Sequence, residues 1–283
     1  MAGGAKKSAR PDIATIAGLV LATIGILGGL ILEGGNIRDV SQITAALIVI
    51  GGTFGAVMVS TPIGMLIGAG KRLRSVVMEA PSGRKEVLAE IIEFATKARK
   101  NGLVALEDDA SKVADPFLKK ALNLAVDGTD LQELRAMLEL EIEQREHHAE
   151  AEAKVFEAAG GFAPTIGIIG AVMGLIQVMK NLSDIDKVGH GIAVSFVATV
   201  YGVGLSNLLL LPAANKIKVR AREETGRYEM ILEGIIGIVE GMNPKLIAAK
   251  LEAFVFHEKA APDGARAAKG QSSLAAEART SSP

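Results

Sequence analysis

Four long stretches of this chain carry no Asp, Glu, Lys or Arg: Ile13–Leu32, Ile43 to about Gly68, Ala158–Met179 and Gly191 to about Ala214. Each meets the requirement of roughly 20 apolar residues for one crossing of a bilayer. A soluble domain of 283 residues could bury a sequence that is 49% hydrophobic. It would, however, interleave its apolar residues with polar ones rather than segregate them. Segregation on this scale predicts an integral membrane protein, all α-helical, because a helix satisfies every backbone group inside its own segment. Pro62 interrupts the second stretch, so that end is expected to bend or to lie at the interface.

Cations flank the spans unevenly. Lys6, Lys7 and Arg10 precede the first; Lys71, Arg72 and Arg74 follow the second; Lys216, Lys218, Arg220 and Arg222 follow the fourth. The short segments Glu33–Gln42 and Lys180–His190 have no such excess. The positive-inside rule then puts both termini and the long middle loop in the cytoplasm. The expected organisation is a cytoplasmic N-terminus over 1–12 and spans one and two within 13–70. A cytoplasmic helical loop covers 71–157, and spans three and four lie within 158–214. A helical extension follows over 215–260, then a disordered Ala/Ser/Gly-rich tail over 261–283.

Several function classes fall away on composition. A net charge of −1 gives no basis for nucleic-acid binding. The absence of cysteine removes disulfides and thiolate metal sites. "IGAGKR" has Met65 and Arg72 where a phosphate loop requires Gly and Ser or Thr. His147 and His148 are adjacent, so they point to different faces of a helix and read as solvated rather than as ligands. No nucleophile–base pair can be assembled, so neither an enzyme nor a cofactor or metal is expected.

Outside the spans, "KEVLAEIIEFATKARKNG" has an apolar stripe of Leu88, Ile91, Ile92 and Ala95, and Asn101-Gly102 ends it. The stretch from Thr129 to Gly160 reads as a long helix with Leu131, Leu134, Leu138 and Ile142 in line, and Thr129 with Gln132 forms a possible capping box. It runs on towards the third span as a rod. The fourth span likewise continues outward, with Tyr228, Ile231, Ile235 and Ile238 as its stripe, until Asn243-Pro244 restarts the chain.

Each span also bears small residues at helical spacing. Gly18, Ala22, Gly25 and Gly29 mark the first, and Gly51, Gly52 and Gly55 the second. Ala163, Gly167, Gly170, Ala171 and Gly174 mark the third. Such faces permit close helix approach, either within one chain or against other subunits. The fourth span differs in being hydroxylated, with Ser195, Thr199, Gly202 and Ser206 on one face. Those hydroxyls either bond back to their own helix or line a narrow polar path. With no acid inside any span, an ion moved here would need its titrating group from another polypeptide.

At this level of detail the chain resembles the MotA/PomA family of flagellar stator proteins. The matching stretches are "GGFAPTIGIIGAVMGLI", "ATVYGVGLSNLLLLPAANKIKVR", "EGMNPKLIAAKL" and "KARKNGLVALEDD", and the likeness extends to about residue 257. The resemblance implies a multi-pass protein of the bacterial inner membrane, built as a ring, understood as a pentamer, around two MotB-like subunits. A carboxylate on that partner takes up the ion, and the ring steps against it and drives the rotor protein FliG. It also implies roles for individual residues. Pro164 and Pro212 are hinges, Arg99 and Glu107 contact the rotor, and Ala171, Thr199, Ser195, Gly202 and Ser206 face the partner and the ion path. Sodium-type relatives tend to carry threonine where Ala171 stands; losing that oxygen donor favours protons. Two other readings remain: an ExbB/TolQ-type energiser, whose relatives usually have three spans, and a membrane scaffold that conducts nothing.

Overall fold

A computed structural model describes residues 10–79 and 83–256. The tail expected to be disordered, and Lys6 and Lys7 of the first cation cluster, lie outside the described residues. Helices joined by short turns make up the described chain, with one two-residue antiparallel pairing, Arg10 with Glu79 and Pro11 with Met78. The helices are α1 (Ile13–Leu32), α2 (Ile43–Ser60), α3 (Ile63–Val77), α4 (Arg84–Asn101), α5 (Glu107–Lys112), α6 (Pro116–Val126), α7 (Leu131–Lys180), α8 (Ile185–Val239) and α9 (Pro244–Phe256), with a 3-10 turn at Ile37–Val40 before α2. Four of them, α1, α2, α7 and α8, contain a stretch long and apolar enough to cross a membrane. The described residues fall into two compact units. One draws on residues 10–79 and 143–225, the other on 83–142 and 226–256.

The first unit holds the apolar stretches. Asp12 starts α1 by accepting the amide of Thr15 at 3.1 Å. The second span ends where Thr61 turns extended in front of Pro62, the conformation that a following proline imposes. Pro62 then opens α3, so the expected bend is a full break between two helices. Two wide π-helical turns interrupt the spans, Leu47–Gly51 in α2 and Leu205–Leu210 in α8. The second lies just before Pro212, whose ring lacks a donor and crowds the preceding turn.

The second unit is a helical bundle with a conventional apolar core. Ile91, Phe117, Leu118, Leu122, Leu134, Leu138, Met230, Ile231, Ile235 and Ile236 are fully buried in it. Leu134, Leu138 and Ile142 of the predicted stripe are buried, as are Tyr228, Ile231, Ile235 and Ile238 of the other. Phe117 and Tyr228 meet with ring centroids 4.7 Å apart. One local expectation fails. The long helix α7 is started by Asp130, whose carboxylate accepts the Gln132 amide at 2.9 Å, so Thr129 and Gln132 do not form the expected capping box. Asp130 stands one residue nearer the helix, where a carboxylate reaches the free amides of the first turn and meets the positive end of the helix dipole.

Candidate functional site

The third and fourth spans, within α7 and α8, meet along a seam of glycines. A methyl group placed on Gly202 would stand 2.5 Å from the Ala163 carbonyl oxygen and 3.2 Å from Pro164 Cα. One on Gly167 would stand 2.9 Å from the Ala198 carbonyl oxygen. The two backbones therefore touch, and no side chain lies between them at these points. Gly170, Gly174 and Gly191 continue the contact, with Ala198, Ser195 and Val178 opposite.

That seam contains three of the five residues expected on the ion path. Ser195, Gly202 and Ser206 are buried between two helices of the same chain. The Ser195 hydroxyl donates to the Gly191 carbonyl at 2.9 Å, within its own helix. The Ser206 hydroxyl instead crosses to α7 and donates to the Gly160 carbonyl at 2.7 Å. Thr199 is half-buried and donates to the Ser195 carbonyl at 3.3 Å. Its own neighbourhood is an apolar groove shared with Ile26 of α1 and with Val203, Gly204 and Leu208 of α8. Ala171 is half-buried on α7. Of the two prolines, Pro164 is half-buried against Gly202, and Pro212 is exposed.

Three polar anchors escaped the search for acids inside the spans. Asp12, 5% exposed, receives Lys216 at 2.5 Å and Arg220 at 2.9 Å, which ties the start of α1 to α8. Burial alone would raise its pKa. The Lys216 hydrogen bond, the Thr15 amide and the charges of Lys216 and Arg220 outweigh burial and hold it at about 2. Arg72 and His148 similarly converge on the buried carboxylate of Glu152, at 2.7 and 3.3 Å. The third anchor is Tyr201, within the fourth span, whose hydroxyl donates to the Val40 carbonyl at 2.5 Å and accepts the Gln42 amide at 3.3 Å. It fastens the connection between the first two spans to the fourth. A tyrosine inside an apolar span usually finds a partner for its hydroxyl, and that was the available signal.

In the second unit, Arg99 lies in the last turn of α4 and Glu107 opens α5. Both are exposed, and neither forms an ion pair with a described residue. Nearby Lys97 and Asp109 are paired at 2.6 Å. Among the described residues, no cluster of His, Asp and Glu has a metal-binding arrangement. His147 reaches Glu143 at 3.9 Å, whereas His148 turns to Glu152.

Comparison with known proteins covers nearly all of this architecture. The model of the MotA/TolQ/ExbB proton channel family matches residues 109–230, and that of the motility protein A N-terminal region matches residues 16–102. Motility protein A of Bacillus subtilis (strain 168) is 34% identical over 241 residues, which is 85% of this chain and 89% of that protein. The chain belongs to the MotA/PomA family of flagellar stator proteins. Chemotaxis protein PomA of Vibrio alginolyticus is 32% identical over 250 residues, covering 88% of this chain and 98% of its own. Among solved structures, C. jejuni MotAB has a TM-score of 0.80 at 36% identity, covering 86% of this chain and 95% of the matched one. The flagellar MotAB stator complex from Bacillus subtilis has a TM-score of 0.79 at 34% identity, with 85% and 94% covered. As a MotA/PomA protein, the chain is a multi-pass inner-membrane protein and a flagellar stator subunit that forms an ion channel. The motility protein A N-terminal match spans the first two membrane helices, which favours the stator over an ExbB/TolQ-type energiser.

Proposed function

We propose that this stator subunit surrounds the membrane helices of a MotB-like partner as a ring, a pentamer around a partner dimer, and turns proton flow into torque. The observation that carries this reading is that the four spans hold no acidic or basic side chain. The carboxylate that binds the ion therefore comes from the partner. The solved structures that resemble this chain are MotAB complexes, which supports a second polypeptide of the MotB kind here. Both termini and the second unit lie in the cytoplasm, in keeping with the cations flanking spans two and four.

Ala171 and Thr199, both half-buried, line the partner-facing side. Ser195, Gly202 and Ser206 hold the third and fourth spans together behind it. A sodium ion stripped of water needs several oxygens, and Ala171 supplies none, so the coupling ion is the proton. Pro164 and Pro212 are the points at which each ring helix flexes when the partner carboxylate is neutralised. Arg99 and Glu107, exposed and outside any ion pair with described residues, then push on FliG. The test is swimming speed in cells lacking their own stator, supplied with this chain and its MotB-like partner. Speed should collapse with a protonophore and be indifferent to external sodium. Speed that follows sodium and survives the protonophore overturns the proton assignment.

A further inference from the structure

Proline has no amide proton, so within a helix it leaves the carbonyl four residues earlier without its usual donor. For Pro164 that carbonyl belongs to Gly160, which is buried. The donor that reaches it is the hydroxyl of Ser206, at 2.7 Å, from the neighbouring helix 46 residues along the chain. Ser206 is itself 2% exposed and sits in the wide π-helical turn Leu205–Leu210. Most serines in helices bond back to their own preceding turn, as Ser195 does to Gly191. Ser206 does not; its hydrogen bond goes across the seam.

We propose that Ser206 is a positioning residue for the Pro164 hinge, its hydroxyl taking the place of the amide proton that proline lacks. The proposal rests on the reading of Pro164 as a hinge. A gap in the α7 backbone ladder is thereby closed from α8, so the bend of the third span is set by where the fourth span lies. The packing agrees: Gly202, one turn before Ser206, holds Pro164 Cα directly against the α8 backbone. Gly160 is tightly covered as well: a methyl group there would stand 2.6 Å from Leu211 Cδ2 and force that side chain to shift. Carbonyl, proline and hydroxyl thus form one unit spanning two helices. Bending at Pro164 changes the distance that the Ser206 hydrogen bond must span, which gives the hinge a preferred angle.

The test is a double-mutant cycle on the complete complex with its MotB-like partner, using Ser206→Ala, Pro164→Ala and both together. Pro164→Ala restores an amide that can donate to Gly160, so the hydroxyl becomes redundant. Ser206→Ala alone should lower the thermal midpoint of the purified complex by roughly 2–6 °C, since a buried carbonyl loses its donor. In the Pro164→Ala background the same substitution should shift it by less than about a third of that. Ser206→Cys, a weaker donor in nearly the same volume, should fall between, and it substitutes if Ser206→Ala fails to assemble. Torque should drop with Ser206→Ala in the proline-containing ring. Equal shifts of the midpoint in both backgrounds overturn the proposal. A non-additive cycle together with full torque from Pro164→Ala would preserve the hydrogen-bond assignment and sink only the hinge.

Discussion

Gly202→Ala isolates the seam between the third and fourth spans. The added methyl would stand 2.5 Å from the Ala163 carbonyl oxygen, 3.1 Å from Gly167 Cα and 3.2 Å from Pro164 Cα. All three obstacles are backbone, so no rotamer change relieves them. Ordinary contact begins near 3.4 Å, so the helices must part locally by about 0.9 Å. A gap of that size forfeits about a quarter to a half of the dispersion well for every atom pair it opens. Overpacking of this kind costs about 1–3 kcal/mol, offset by the gain of about 1 kcal/mol in helix propensity when alanine replaces glycine. The upper half of the range applies because the neighbours are rigid, leaving a net loss of about 1–2 kcal/mol. That corresponds to a fall of roughly 2–8 °C in the thermal midpoint of the purified complex. Gly25→Ala in the first span is the control, since nothing lies within 4 Å of the added carbon there. If Gly202→Ala melts with Gly25→Ala, or above it, the two backbones do not touch as described.

Tyr201→Phe removes the hydroxyl that holds Val40 and Gln42, and should cost about 1–2 kcal/mol while speeding hydrogen exchange over residues 37–42. Unchanged exchange would argue against a clamp. Asp12→Asn should destabilise by about 1–3 kcal/mol by leaving Lys216 and Arg220 without their shared anion. The folded pKa of Asp12, about 2, lies below its ordinary 3.8, so its contribution is complete above 3.8 and disappears only as pH falls through about 2. The wild-type minus mutant difference in midpoint should therefore be flat from about pH 5 to 8, and a slope there would contradict the pairing. Arg99→Glu and Glu107→Lys should each cut torque while the complex still assembles, as judged by co-purification with the partner; full torque would remove both from the rotor surface.

The helical core was legible because its signal is periodic. Leu134, Leu138 and Ile142 recur at a spacing that admits only one buried face, and burial follows. Pro62 was legible because a proline constrains its neighbour whatever surrounds it. The hydroxylated face was read correctly as one face of a helix, yet spacing could not say what that face meets. Burial of Ser195 and Ser206 depends on Gly160 and Gly174, which lie in a different helix and well apart from them in sequence. The π-helical turn at Leu205–Leu210 left no mark in the periodicity, since one widened turn looks like an ordinary register drift. Asp12 was passed over for a different reason. It lies one residue outside the first span, where a carboxylate looks solvated until the cations of a distant helix are known to reach it.

The pairing of Asp12 also has a bearing on how the chain is made. Arg220 follows Asp12 by 208 residues, and Lys216 is scarcely nearer. At about 5–20 residues per second, a ribosome needs roughly 10–40 s to cover that interval. During that time the first span has entered the bilayer with an unmatched anion at its end. α1 has no buried residue along its length, and its other ties are to the end of α3: the pairing of Arg10 with Glu79, and the bonds donated by the Asp12 amide and the Thr15 hydroxyl to the Val77 and Val76 carbonyls. Its tie to α8 therefore forms late, as the last membrane helix is completed. A chain broken off before residue 216 would carry its first helix tied to α3 alone, with a bare carboxylate to distinguish it from a finished subunit.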